Sequence, residues 1–268
     1  MKFDSMLAWR QASAAIAANR DVLLAIAGVC FFLPSLVLAL FFPQPEPTAG
    51  MDEQAIMQLA SDYYVSLLPV LIPMVLLQAV GTLSLILLLT DRSRPTVGEA
   101  LRAGTRCVIA YLLAQLLLGI AVGLGGGIVL AAFSASGVPV LVGLGMGLVV
   151  ALIAVAATRT SLTAAVIAVE AVRNPIEALR RSIALTQGNT MRVLAFYVLI
   201  LLGFLVLSML VTLIVGMPLS LLAPVEVAHI VNSVVSAMIN ATMALYFVSI
   251  IAAVHNQFAR IDSLDTFA

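Results

Sequence analysis

Between Arg106 and Arg159 the chain runs for 52 residues, Cys107 to Thr158, without one Asp, Glu, Lys or Arg. Charge is also missing between Asp21 and Glu46, Asp62 and Asp91, Arg192 and Glu226, and Glu226 and Arg260. A helix needs about 20 apolar residues to cross about 30 Å of hydrocarbon. Each of these four stretches therefore holds one crossing, and the 52-residue stretch holds two. It divides at Ser134-Ala135-Ser136-Gly137-Val138-Pro139, where Gly and Pro signal a turn. The spacing predicts an all-α, polytopic membrane protein with six spans near 22–42, 67–90, 107–133, 139–158, 193–217 and 227–254. Composition agrees. Charged residues are 10% of the chain and hydrophobic residues 63%, against about 25% charged in soluble domains. That excludes a soluble enzyme, a disordered chain and a disulfide-rich secreted module. Thirteen basic residues balance thirteen acidic ones, so net charge offers nothing to nucleic acid.

The basic residues orient the spans. Lys2, Arg10 and Arg20 precede span one; Arg92, Arg94, Arg102 and Arg106 lie between spans two and three. Arg159, Arg173, Arg180, Arg181 and Arg192 lie between spans four and five, and Arg260 follows span six. All thirteen thus fall on one side, while Glu46, Asp52, Glu53, Asp62 and Glu226 occupy the other. The expectation is a single integral membrane domain, 1–268, in the bacterial inner membrane, with both termini cytoplasmic. The first apolar run starts after residue 21 and is too long for a signal-peptide core of about 7–15 residues, so it reads as a true span. Cys30 and Cys107 both sit in apolar runs, at opposite depths, and read as small core residues.

Three segments on the basic side look alike: Ser5-Met-Leu-Ala-Trp-Arg10, Thr96-Val-Gly-Glu-Ala-Leu-Arg102 and Pro175-Ile-Glu-Ala-Leu-Arg180. The first and third align without gaps at an offset of 170, matching Ala8 with Ala178, Arg10 with Arg180 and Asn19 with Asn189. Each leads into an outward span followed by a return span. This predicts three hairpin repeats, 3–92, 93–172 and 173–260, each opened by a short amphipathic helix lying on the membrane surface. Thr96 with Glu99 forms a capping box, and Asn174 can cap a helix that has Pro175 at its first position. Arginines of these helices, Arg94, Arg102, Arg106, Arg173, Arg180 and Arg181, are the candidate contacts for lipid headgroups, because such side chains snorkel toward phosphates.

The stretch from Arg173 to Asn189, with Arg192 and an apolar span after it, resembles the cytoplasmic signature of a six-span bacterial membrane-domain family. That family occurs beside some glycerophosphodiester phosphodiesterases and as stand-alone inner-membrane proteins without an assigned activity. The resemblance implies the hairpin layout along most of the chain. It does not carry the hydrolase activity over, because no stretch outside the spans is long enough for the catalytic barrel.

Groups that could do chemistry are few. His229 and His255 are the two histidines, with no acidic cluster near either in sequence, so no metal site or cofactor is expected. Lys2 is the one lysine, and no phosphate loop or nucleophile elbow is present. Enzyme is the weakest class. Polar side chains inside the spans remain. His229, Ser233, Ser236 and Asn240 share one helical face of span six, with Asn232 beside it. This face is expected to point into the bundle, either as interhelical hydrogen bonds or as a polar path. Gln78 with Thr82 in span two, and Gln115 in span three, are candidates for the same interior. If the run from Pro139 to Val172 is one helix it spans about 51 Å; Arg159 then lies at the interface, or inside the bundle near Glu170. Gly119, Gly123 and Gly127 in span three, and Gly143 and Gly147 in span four, have GxxxG spacing and are expected to pack helices together. The outer segment from Asp52 to Tyr64 reads as another surface helix.

The function expected is a non-catalytic membrane protein acting through lipid or protein contacts, as an accessory, a scaffold or an envelope-homeostasis factor. Its partners would be membrane lipids, anionic ones included, or another membrane protein. A lipid translocator with a polar path along span six, and a subunit of a larger complex, are the alternatives.

Overall fold

The computed structural model describes residues 3–43, 45, 48, 50–90 and 96–265. Arg94, one of the headgroup candidates, lies outside them. Most of the described residues are helical, and no strand occurs among them. Six helices are long and apolar enough to cross a membrane.

A short helix α1 (Ser5–Ala18) precedes span one, and Asp4 caps it by accepting a hydrogen bond from Leu7 N at 3.0 Å. Span one is α2 (Arg20–Ala27), a π turn (Gly28–Phe32) and α3 (Leu33–Phe41). The π turn has a local cause. Pro34 has no N–H and its ring crowds the carbonyl four residues back, so an inserted wide turn relieves the clash. Span five repeats the device, with a π turn at Thr212–Gly216 just before Pro218. Spans two and three are the 38-residue helices α4 (Glu53–Thr90) and α5 (Val97–Ser134), each about 57 Å long. Span four is α6 (Pro139–Thr160). A short α7 (Thr163–Val169) and α8 (Pro175–Thr186) follow. Span five continues as α9 (Thr190–Val211), its π turn and α10 (Met217–Leu222), and span six is α11 (Val225–Asp265).

Three expectations change here. The surface segment before span three is not a separate helix. The Thr96–Glu99 capping box starts α5, which then runs into the span without a break. The outer segment from Asp52 is likewise continuous with span two, within α4. The run after Pro139 is not one helix, because it turns at Ser161–Leu162. The first and third surface segments do form helices of their own. They end at Asn19 and at a turn through Gly188, whose φ of +78° suits glycine.

Helix α4 lies between α5 and α11; α5 also packs on α6, and α11 packs on span one and on α1. Burial is concentrated at the arginine-bearing end. Helix α9 buries only Thr190, Val193, Phe196 and Tyr197, its first two turns, and α5 buries nothing beyond Ala114. In place of long interhelical seams, α7 fills the centre of that end. Thr163 to Ile167 are all buried, with α4, α5 and α8 around them. Aromatic rings close the same end, with Phe3 5.7 Å from Phe196 and 5.8 Å from Phe258.

Two close helix crossings need glycine. A Cβ on Gly81 would lie 2.5 Å from Cys30 Cβ, and one on Gly104 would lie 3.2 Å from Ser84 N. The glycines expected to pack do not. Gly119, Gly123, Gly127, Gly143 and Gly147 have nothing within 4 Å of where a Cβ would be. Their neighbours make the contact between spans three and four: Gly145 against Phe133, and Gly126 against Val149. Small-xxx-small spacing marks a face able to approach another helix, and here the facing helix meets a different face.

Candidate functional site

Two polar assemblies occur in the bundle, one at the packed end and one at its margin. The first follows from the break after α6. Ending a helix frees carbonyls, and the carbonyl of Arg159 accepts the Ser182 hydroxyl of α8 at 2.8 Å. The Ser161 and Tyr197 hydroxyls meet at 3.1 Å. Beyond α7 the chain turns through Ala171, whose φ is +56°. That turn aims the Glu170 carboxylate inward. Glu170 Oε2 accepts from Arg181 Nε at 3.0 Å, and Oε1 meets His255 Nε2 at 3.0 Å. His255 is 2% exposed, while the Glu170 and Arg181 side chains are 24% and 35% exposed. The network is therefore sealed at the histidine and reached from outside on the arginine side. A carboxylate only accepts hydrogen bonds, so the shared hydrogen sits on His255 Nε2. Nδ1 is then buried without a hydrogen-bond partner among the described residues. The arrangement ties α8 and α11 to the α7 turn and places an imidazole beside a carboxylate.

The second assembly lies further along the spans. A cavity of about 210 Å³ opens between spans two and three, lined by Gln78, Thr82, Tyr111 and Gln115, with Phe31 of span one beside them. Gln115 Nε2 donates to Tyr111 OH at 2.8 Å. Two amides and two hydroxyls make a neutral seat that both donates and accepts.

Gln78 and Gln115 line the same cavity, with Gln78 half-buried and Gln115 exposed rather than interior. The structure does not join them to the span-six stripe. His229, Ser236 and Asn240 are exposed on α11 rather than enclosed, and the cavity at Gln78 does not include them. Asn232 packs instead against Gly216 in the π turn of span five. Arg159 is exposed and not interior, because the turn at Ser161–Leu162 separates it from Glu170. Arg181 is not a free headgroup contact, since it pairs with Glu170. Arg102, Arg106, Arg173 and Arg180 are exposed, with Arg173 Nη1 donating to the Arg106 carbonyl at 3.0 Å.

The Glu170–His255 pair was missed in sequence because the two residues are 85 positions apart. The available signal was weak: an acid and a histidine at the basic ends of two spans. Among the described residues, no group of three or more His, Cys, Asp and Glu side chains has the arrangement to hold a metal ion. Comparison with protein-family models, with curated proteins and with solved structures finds no match to this chain.

Proposed function

We propose that this chain is a non-catalytic protein of the bacterial inner membrane, with both termini cytoplasmic, that acts through contacts with anionic lipid as an accessory or envelope-homeostasis factor. One observation carries this reading. Arg10, Arg20, Arg102, Arg106, Arg159, Arg173, Arg180 and Arg192 are all exposed at the packed end, beside apolar helix faces that are also exposed. A basic residue at an anionic leaflet contributes about 1 kcal/mol toward binding it, so several of them select such lipid over neutral lipid. The test compares the wild type with Arg102→Gln/Arg106→Gln/Arg180→Gln in phosphatidylglycerol and in phosphatidylcholine nanodiscs. Loss of the preference for phosphatidylglycerol supports the reading, and a preference that is unchanged even when Arg192→Gln is added overturns it.

Orientation is tested separately, by cysteine labelling in intact cells. Cys30 and Cys107 are buried and give little background. With cytoplasmic termini, Ala223→Cys reacts with an impermeant maleimide from outside and Arg180→Cys does not. The reverse pattern overturns the orientation.

A second reading, a subunit of a membrane complex, is favoured by the outward GxxxG faces. Gly119, Gly123, Gly127, Gly143 and Gly147 have no described residue within 4 Å of where a Cβ would stand, and such faces suit close helix approach. Gly123→Leu/Gly147→Leu is expected to abolish any oligomer or co-purifying partner in mild detergent. A lone protomer in the wild type rejects this reading.

A further inference from the structure

Helices α1 and α9 enclose a groove that neither the exposed arginines nor the polar cavity explains. Two cavities, of about 310 and 230 Å³, adjoin at Leu199. Their chemistry differs from end to end. The first is lined by Arg192 and Ser5 beside Phe3, Ala195 and Phe196. The second is lined by Trp9, Gly203, Phe204 and Leu207 and is almost wholly apolar. The aromatic wall is held in place within the protein: Trp9 stacks on Tyr246 at 5.6 Å, and Tyr246 lies 6.0 Å from Phe204. The floor is open because Gly203 has no neighbour within 4 Å of where a Cβ would stand. Glycine inside a helix costs about 1 kcal/mol relative to alanine, and here it leaves room.

We propose that this groove seats one anionic phospholipid, with its phosphate at Arg192 and Ser5 and one acyl chain along Trp9, Gly203 and Leu207. The inference rests on the lipid-contact reading above and names its site. Arg192 is exposed, and among the described residues its guanidinium has one long contact, 3.5 Å to Asn189 Oδ1. The remaining donors are available for a bidentate phosphate contact. Asp4, the acid nearest Ser5 in sequence, is turned onto Leu7 N. Length fits as well. From Arg192 to Leu207 a helix rises about 22 Å, which is about half of a bilayer measured with its headgroups. A phosphate at Arg192 therefore places the end of its acyl chain near Leu207, at the midplane.

The test is native mass spectrometry of the full chain with phosphatidylglycerol added in defined amounts, on the wild type, Arg192→Gln, Gly203→Leu and the Arg102→Gln/Arg106→Gln/Arg180→Gln variant. One bound phosphatidylglycerol is expected in the wild type. Occupancy is expected to fall about fivefold in Arg192→Gln, the equivalent of about 1 kcal/mol, and also to fall in Gly203→Leu. Arg192 is exposed, so its substitution reports even if Gly203→Leu does not fold. Unchanged occupancy in Arg192→Gln overturns the groove. If the triple variant loses lipid while Arg192→Gln keeps it, the groove fails and the broader lipid reading stands. If the wild type binds no lipid, both fail. Equal retention of phosphatidylcholine in wild type and Arg192→Gln also overturns the phosphate contact.

Discussion

His255 Nε2 lies 3.0 Å from Glu170 Oε1, and the same carboxylate holds Arg181 Nε at 3.0 Å on its other oxygen. One side chain thereby joins span six to α8 through the turn after α7. Removing it takes a charged hydrogen-bond partner from His255 and from Arg181. Glu170→Ala is expected to lower stability by about 1.5–3 kcal/mol, the range for hydrogen bonds to charged groups. Thermal unfolding in detergent measures this. Combined with His255→Ala, the losses are expected to be non-additive by at least about 0.5 kcal/mol, as for residues in contact. Strictly additive losses would mean that the pair is not coupled.

Ala171 holds a φ of +56° immediately after Glu170. A side chain in the left-handed region costs roughly 1–2 kcal/mol, and glycine avoids that cost. Ala171→Gly is therefore expected to raise the melting temperature, and Ala171→Val to lower it. A destabilised glycine variant would contradict the assigned turn.

The glycines divide into two classes with opposite predictions. Gly104→Ala drives a methyl against the Ser84 backbone, an overpacking expected to cost about 1–3 kcal/mol. Gly123→Ala places its methyl in open space, with an expected effect between zero and about 1 kcal/mol of stabilisation. Matched melting curves of the two variants decide it. Equal losses would show that the helix faces are assigned wrongly.

Asn174 Oδ1 accepts from Ile176 N at 3.0 Å and from Glu177 N at 3.4 Å at the start of α8. Asn174→Ala is expected to cost about 1 kcal/mol, and Asn174→Asp much less, because Asp caps equally well. Hydrogen exchange across residues 175–186 is the measurement. Unchanged protection in the alanine variant would remove the cap from the account of α8.

Much of the scaffold is legible without coordinates. Excluding charge from hydrocarbon is a residue-by-residue requirement, so the six spans, the turn at Ser134–Pro139 and the gathering of arginines at one end all follow from the order of residues. The caps at Thr96 and Asn174 are legible for the same reason, since each satisfies N–H groups within a few positions. The break at Ser161–Leu162 was less visible because neither residue is a strong helix breaker. Once it occurs, it removes Glu170 from the face of Arg159 and delivers it to His255.

What the sequence could not determine is which face of each span meets protein. A lipid tail is as apolar as a leucine, so no hydrophobic patterning separates a face on lipid from a face on another helix. Asn240 and Gly123 therefore read as interior residues and turn out exposed, while Gly81, Gly104 and the short α7 hold the packed end together. The number of candidate spans and the gathering of arginines at one end come from local chemistry. The partners of Glu170, the Gln78–Gln115 cavity and the groove at Arg192 exist only once segments distant in the chain are packed side by side.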